Sequence, residues 1–144
     1  MSQSFVVPLF DVIIEPRWAD SDLMGHINHA EYFRYLEEAR VRWILDGGLA
    51  SIAGNGEFGM IVANIGLDFR KQWHHPNKLR ATAYVAAVGN SSFRLRHYLH
   101  GAQGGELVAE GEITLVWMDL ARQRSISIDD SLRSLLARHQ LPLG

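Results

Sequence analysis

Apolar side chains recur at Tyr32, Leu36, Ala39 and Trp43, at spacings of four, three and four. That period marks one face of a helix. Glu31, Arg34, Glu38 and Arg42 fall on the opposite face. Glu38 precedes Arg42 by one turn, the favourable order for a surface ion pair. Glu37 and Arg40 lie between the two faces, also one turn apart, and form a second candidate pair. Gly47-Gly48 supplies a stop. Upstream, Asn28 reads as the N-cap, with Glu31 at N3 as a capping box. Ile27 and Tyr32 take the places of a hydrophobic staple. His29 is then the first helical residue, whose N–H has no partner inside the helix.

Elsewhere the period drops to two, the signature of half-buried strands. Phe10, Val12 and Ile14 suggest a first strand before the helix. Ile61, Ala63, Ile65, Leu67 and Phe69 suggest a second strand, continuous from 61 to 69. Leu79, Ala81, Ala83, Val85 and Ala87 form a third series, Phe93, Leu95 and Leu99 a fourth, and Ile113, Leu115 and Trp117 a fifth. His75-Pro76-Asn77, Gly89-Asn90 and the run from Gly101 to Gly105 separate them. The last three strands are expected to pair as an antiparallel meander. A short helix from Asp129 to about His139 closes the chain. A sheet with one apolar face must be covered, and one long helix is available to cover it. The expected fold is α+β: an antiparallel sheet wrapped around one long central helix, as a single domain over residues 1–144.

Composition narrows the function. The chain has 144 residues, 47% of them hydrophobic, enough for a sizeable core. A formal charge of −2 does not suit a nucleic-acid binder. No apolar run reaches the length of a membrane span, and residues 1–10 do not look like a secretory leader. These features lead to the expectation of a cytoplasmic protein with neither nucleic acid nor membrane as partner. The sequence holds no cysteine, which removes thiolate nucleophiles, thiolate metal sites and disulfides together. His26, His29, His74 and His75 match no recognised ligand spacing, so no metal and no cofactor are expected. No Gly-x-Ser-x-Gly elbow is present either.

Chemistry concentrates in front of the long helix, in the stretch RWADSDLMGHINHAEYFRYLEEAR from Arg17 to Arg40. Its string Asp20-x-Asp22-x-x-Gly25-His26-Ile27-Asn28-His29-Ala30-x-Tyr32, followed by Glu37-x-Ala39-Arg40, resembles the hotdog-fold thioesterases of the 4-hydroxybenzoyl-CoA thioesterase type. HHPNKL and SSFRLRH extend the resemblance more weakly. It implies a hotdog fold and a coenzyme A thioester substrate. It also implies a homodimer or homotetramer with active sites at subunit interfaces, and no metal. Asp22 aligns with the catalytic aspartate of that family, as nucleophile or general base.

The remaining roles follow from that expectation. The His29 N–H, at the positive end of the helix dipole, is the candidate oxyanion donor. Its imidazole is a second candidate group, and Asn28 a third catalytic candidate, which fixes where the helix starts and could also hydrogen-bond Asp22 or a water. Gly25 and His26 would shape the loop and bring it to the substrate. Phe33, Met60 and Val62 are expected along the acyl chain. Arg70 and Arg94 head a group of basic residues, with Lys71, Arg96, Arg122 and Arg124, from which a phosphate-binding set would come. Arg94 and Arg96 also have a plainer reading, as cross-strand partners of Glu110 and Glu112. Asp20 is expected to hold the turn. A binding module for acyl-CoA, or a hotdog dehydratase or hydratase, remain alternatives on the same scaffold.

Overall fold

The computed structural model describes residues 5–46, 48–54 and 56–142. The chain runs through β1 (Phe10–Ile14), α1 (His29–Asp46), α2 (Leu49–Ile52), β2 (Phe58–Ile65), β3 (Asp68–Phe69), β4 (Leu79–Val88), β5 (Ser92–Gly101), β6 (Leu107–Asp119), β7 (Arg124–Ser125) and α3 (Asp130–Ala137). A 3-10 turn, Trp18–Asp20, precedes α1. The sheet order is β1-β4-β5-β6-β2, with every neighbouring pair antiparallel. β4, β5 and β6 form the expected meander. β3 and β7 are short additions to β6.

The sheet curls around α1 in the hotdog arrangement. Tyr32, Leu36, Ala39 and Trp43 are all buried, in one core with Leu79, Ala81, Ala83, Val85, Leu95, Leu99, Ile113, Leu115 and Trp117. Each fully buried large apolar side chain contributes roughly 1.5–3 kcal/mol. α1 therefore keeps its place through its apolar stripe. On its outer face Glu38 and Arg42 pair at 3.6 Å. Of the expected helix stop, Gly47 lies outside the described residues. Gly48 has φ +88°, a left-handed conformation that suits glycine. α3 starts where expected, with the Asp129 carboxylate accepting the Leu132 N–H at 2.9 Å.

The continuous strand expected over 61–69 is not what forms. It is two strands, broken at Gly66-Leu67, and β2 begins earlier, at Phe58. A bulge between Val62 and Asn64 changes which side chains face the core. Before it, Phe58 and Met60 pack against the core, and Ile61 and Val62 are exposed; after it, Ile65 and Leu67 pack inward. A second bulge, between Val85 and Ala87, likewise gives the core position expected of Ala87 to Val88. The break after Ile65 is held from below. A Cβ at Gly111 would lie 2.0 Å from the Gly66 carbonyl oxygen, so only glycine lets the chain pass so closely.

Candidate active site

Between β1 and α1 the chain is anchored by Asp20, which is only 2% exposed. Its carboxylate accepts the Arg17 N–H at 2.9 Å and the Tyr35 hydroxyl at 2.6 Å, and it pairs with the guanidinium groups of Arg17 and Arg34. Burial alone would raise the Asp20 pKa. The Tyr35 hydroxyl, the Arg17 N–H and side chain, and the Arg34 charge outweigh it and hold the group at about 2. Asp20 thus ties the turn to α1, as expected.

The folded pKa of Asp20 lies below its ordinary value of 3.8. Its stabilisation is therefore complete above about pH 4 and is lost as pH falls towards about 2, roughly 2 kcal/mol in all. Asp20→Asn is expected to lose about that much at neutral pH and to flatten this acid limb. Urea unfolding at a series of pH values checks it, and an unchanged limb would reject the assignment.

Asp22 stands on a tight loop closed by the Ser21–Ile27 bridge. Its backbone N–H donates to the His26 carbonyl at 2.8 Å, and Gly25 turns the chain with φ +82°. The Asp22 Oδ1 accepts the Met24 N–H at 2.9 Å and the His26 N–H at 3.4 Å. This is an Asx turn, and it aims the carboxylate. Oδ2 has no hydrogen bond among the described residues. The His26 ring meets the His74 ring edge-on at 4.7 Å between centroids.

The helix starts where the N-cap reading puts it. Asn28 Oδ1 accepts the Ala30 N–H at 3.0 Å, and its carbonyl accepts the Glu31 N–H. The capping box does not form. The Asn28 N–H goes instead to the Asp20 carbonyl at 2.9 Å, and the Glu31 carboxylate goes to Arg34. Ile27 and Tyr32 are both buried, as a staple requires. Among the described residues nothing accepts the His29 N–H. The His29 ring packs edge-on against Phe69, 5.9 Å between centroids.

Asp22, His26 and His29 line one pocket of about 310 Å³, with Ile27, Tyr32, Phe69, Arg70, Lys71 and Gln72. Burial raises the Tyr32 phenol pKa, and the Asp22 charge adds to the shift. Gly25 borders a neighbouring cavity that shares Asp22. Phe33 and Val62 come together in another pocket, between α1 and β2. Met60 does not join them, because it packs against the core opposite Trp117. Arg70 pairs with Glu110 at 3.3 Å. Arg94 stands apart from the pocket, paired with Glu112 at 3.2 Å, while Arg96 pairs with Glu110. The Glu37–Arg40 pair does not form; burial lowers the Arg40 pKa, and the nearby Glu37 charge opposes that shift without cancelling it. Among the described residues no group of three or more histidine, aspartate or glutamate side chains gathers as for a metal.

Three residues at or near these pockets have no site role in the sequence reading. Phe69 bridges the two pockets, touching both His29 and Phe33. His97 is 1% exposed and sits at the inward position missing from the Phe93, Leu95, Leu99 series. Arg40, which reads as a flank residue beside Glu37, is only 8% exposed.

Comparison with known proteins decides the family. The family model for the thioesterase-like superfamily matches residues 16–136, from just before the Asp20 turn into α3. The chain belongs to the thioesterase-like superfamily. Within it, the PA2801 protein of Pseudomonas aeruginosa is 35% identical, with TM-score 0.78, over 89% of this chain and 98% of that one. The long-chain acyl-CoA thioesterase FadM of Escherichia coli is 26% identical over 123 residues, 85% of this chain and 93% of FadM. A Thermus thermophilus thioesterase solved with coenzyme A and Zn is 26% identical with TM-score 0.78, over 94% of this chain and 98% of that one. Recognition of a hotdog thioesterase from the Asp20–Arg40 string thus agrees with the superfamily match and with the observed fold. No helix among the described residues is long and apolar enough to cross a membrane.

Proposed function

We propose that this member of the thioesterase-like superfamily hydrolyses an acyl-CoA thioester to the free acid and coenzyme A, as the 4-hydroxybenzoyl-CoA thioesterase type does. The observation that carries this reading is the meeting of Asp22 and the unengaged His29 N–H at one pocket. The thioester oxygen takes the His29 N–H, where the helix dipole favours developing negative charge. Asp22 Oδ2 then acts on the carbonyl carbon by one of two routes. Direct attack forms an acyl-aspartyl anhydride and expels the thiolate of coenzyme A, and water cleaves the anhydride afterwards. Alternatively Asp22 takes a proton from a water that attacks in its place. Asn28 sets the helix start, and Gly25 and His26 hold the loop that carries Asp22. Arg70 and Lys71, at the pocket wall, are the nearest basic groups for the coenzyme A phosphates. The acyl chain lies along Phe33 and Val62.

A screen of acyl-CoA esters differing in chain length and ring content, read by thiol release, tests the activity. Absence of release from every ester would sink it. Tight binding without release would favour an acyl-CoA binding module.

The working form in this proposal is a homodimer or a dimer of dimers, in the cytoplasm. β2 is an edge of the main sheet path, with Ile61 and Val62 exposed, and Trp18, Leu23 and Met24 are exposed around Asp22. A second copy would cover such surfaces and an unpaired strand edge. Sedimentation at micromolar concentration is expected to give a dimer or larger. A clean monomer would contradict the interfacial site.

A further inference from the structure

The pocket between α1 and β2 measures about 450 Å³ and is lined by Phe33, Arg34, Glu37, Arg40, Val62 and Ile65. Phe33, Val62 and Ile65 give it an apolar wall suited to an acyl chain, and Arg34, Glu37 and Arg40 give it a charged one. Arg40 is more than nine-tenths buried, and no hydrogen bond or ion pair reaches it from any described residue. Its neighbours do not neutralise it. Arg34 is engaged by Asp20 and Glu31. Glu37 is exposed and makes no ion pair with it. His97 is close enough to feel the Arg40 charge, yet its ring nitrogen Nε2 is engaged with the Gly66 carbonyl at 3.1 Å. Burial, reinforced by the charges of Arg40 and Arg96, lowers the His97 pKa and favours the neutral ring. The Arg40 nitrogens are not among the fully buried, unpartnered polar atoms of the described residues, so the guanidinium stays accessible to an entering anion. Its planar fork matches a carboxylate, which takes two parallel hydrogen bonds.

The geometry also relates Arg40 to the catalytic end. His29, Phe33, Glu37 and Arg40 follow one another on one flank of α1, at steps of four, four and three. Eleven residues of helix rise about 16 Å. The arginine stem leans back towards the helix N-terminus and shortens that span. Phe69, which lines the Asp22 pocket, meets Phe33, which lines this one, edge-on with ring centroids 6.2 Å apart. An acyl group whose carbonyl lies at the His29 N–H would therefore run along Phe33 and end near Arg40.

We propose that Arg40 is a specificity-determining residue, which binds a carboxylate at the far end of the acyl group. This rests on the thioesterase reading of the Asp22 pocket and makes the substrate the coenzyme A monothioester of a dicarboxylic acid. Glu37 does not forbid it. A solvent-exposed carboxylate acts through a high dielectric, and Glu37 makes no ion pair with Arg40.

The test compares adipoyl-, suberyl- and sebacyl-CoA with the unsubstituted acyl-CoA of equal length, in the wild type, Arg40→Gln and Arg40→Lys. The wild type is expected to prefer one or more ω-carboxy esters by roughly ten- to hundredfold in kcat/KM, the range for a charge-assisted buried hydrogen bond. Arg40→Gln should abolish that preference and raise kcat/KM for the plain ester. Arg40→Lys should keep a smaller preference. A wild type that hydrolyses plain esters as well as ω-carboxy esters at every length overturns the inference and leaves the thioesterase reading intact. If no ester is hydrolysed the thioesterase reading fails. Calorimetric binding of suberyl-CoA then decides the Arg40 question, equal affinity in wild type and Arg40→Gln overturning it and weaker binding by the variant upholding it. Dissociation of the oligomer in Arg40→Gln alone, seen by sedimentation, also overturns it, because the anion would then belong to a second copy of the chain.

Discussion

Asp22→Asn is expected to lower turnover of the best acyl-CoA ester at least about a hundredfold while leaving the fold and ester affinity close to normal. The size is that of a positioned acid-base group. The geometry explains why little else should change. Asparagine keeps a carbonyl oxygen where Asp22 Oδ1 accepts the Met24 and His26 N–H groups, so the Asx turn survives. What disappears is the free oxygen Oδ2, replaced by an amide nitrogen that neither attacks a carbonyl nor takes a proton from water. Asp20→Asn, two residues away, makes the opposite change. Its charge anchors Arg17, Arg34 and Tyr35, and its loss should appear in stability before catalysis. The pair of variants therefore separates a working acid from a structural one on the same short segment. Near-normal turnover by a pure, folded Asp22→Asn protein would remove Asp22 from the mechanism.

The two acids also mark what local sequence could and could not tell. α1 and the β4-β5-β6 meander were legible because their apolar periods run almost unbroken and burial follows them. The 61–69 segment was misread because one extra residue, at the Val62–Asn64 bulge, exchanges the faces of the strand. Period alone cannot reveal a bulge whose flanks are both apolar. The capping box failed for a different reason. Asn28 and Glu31 have the right identities, yet the Asp20 carbonyl and the Arg34 side chain compete successfully for them. Both competitors are drawn in by the same buried carboxylate.

Much of the site was readable because its parts are nearly consecutive, from Asp22 to His29. Phe69 and Met60 were not, since their placement depends on how the edge strands bend. Arg40 and His97 illustrate another limit. His97 occupies a position that the strand period assigns to the core, whereas Arg40 reads as a flank residue beside Glu37 and is buried all the same, so the pattern anticipates only the first. It carries no information about what a buried polar group will face.

The comparison of His29→Ala with His29→Pro is expected to give the second large effect. If the main chain holds the oxyanion, the alanine variant should lose no more than about tenfold in turnover. It keeps the N–H at the first helical position and forfeits the ring contact with Phe69. The proline variant removes the donor itself, and loss of one oxyanion donor typically costs on the order of 10²–10³ in turnover. Proline is otherwise acceptable there. The first position of a helix needs no intrahelical donor, and an N-cap such as Asn28 normally has the extended backbone that a following proline demands. Asn28 would still accept the Ala30 N–H, so the helix start should hold, as circular dichroism and thermal unfolding can verify. The cap explains why the donor belongs to His29. With the Ala30 and Glu31 N–H groups taken by Asn28, the His29 N–H is the member of the first turn left for the oxyanion role proposed above. Equal, severe losses in two folded variants would mean that the imidazole does the work, polarising the carbonyl or protonating the departing thiolate.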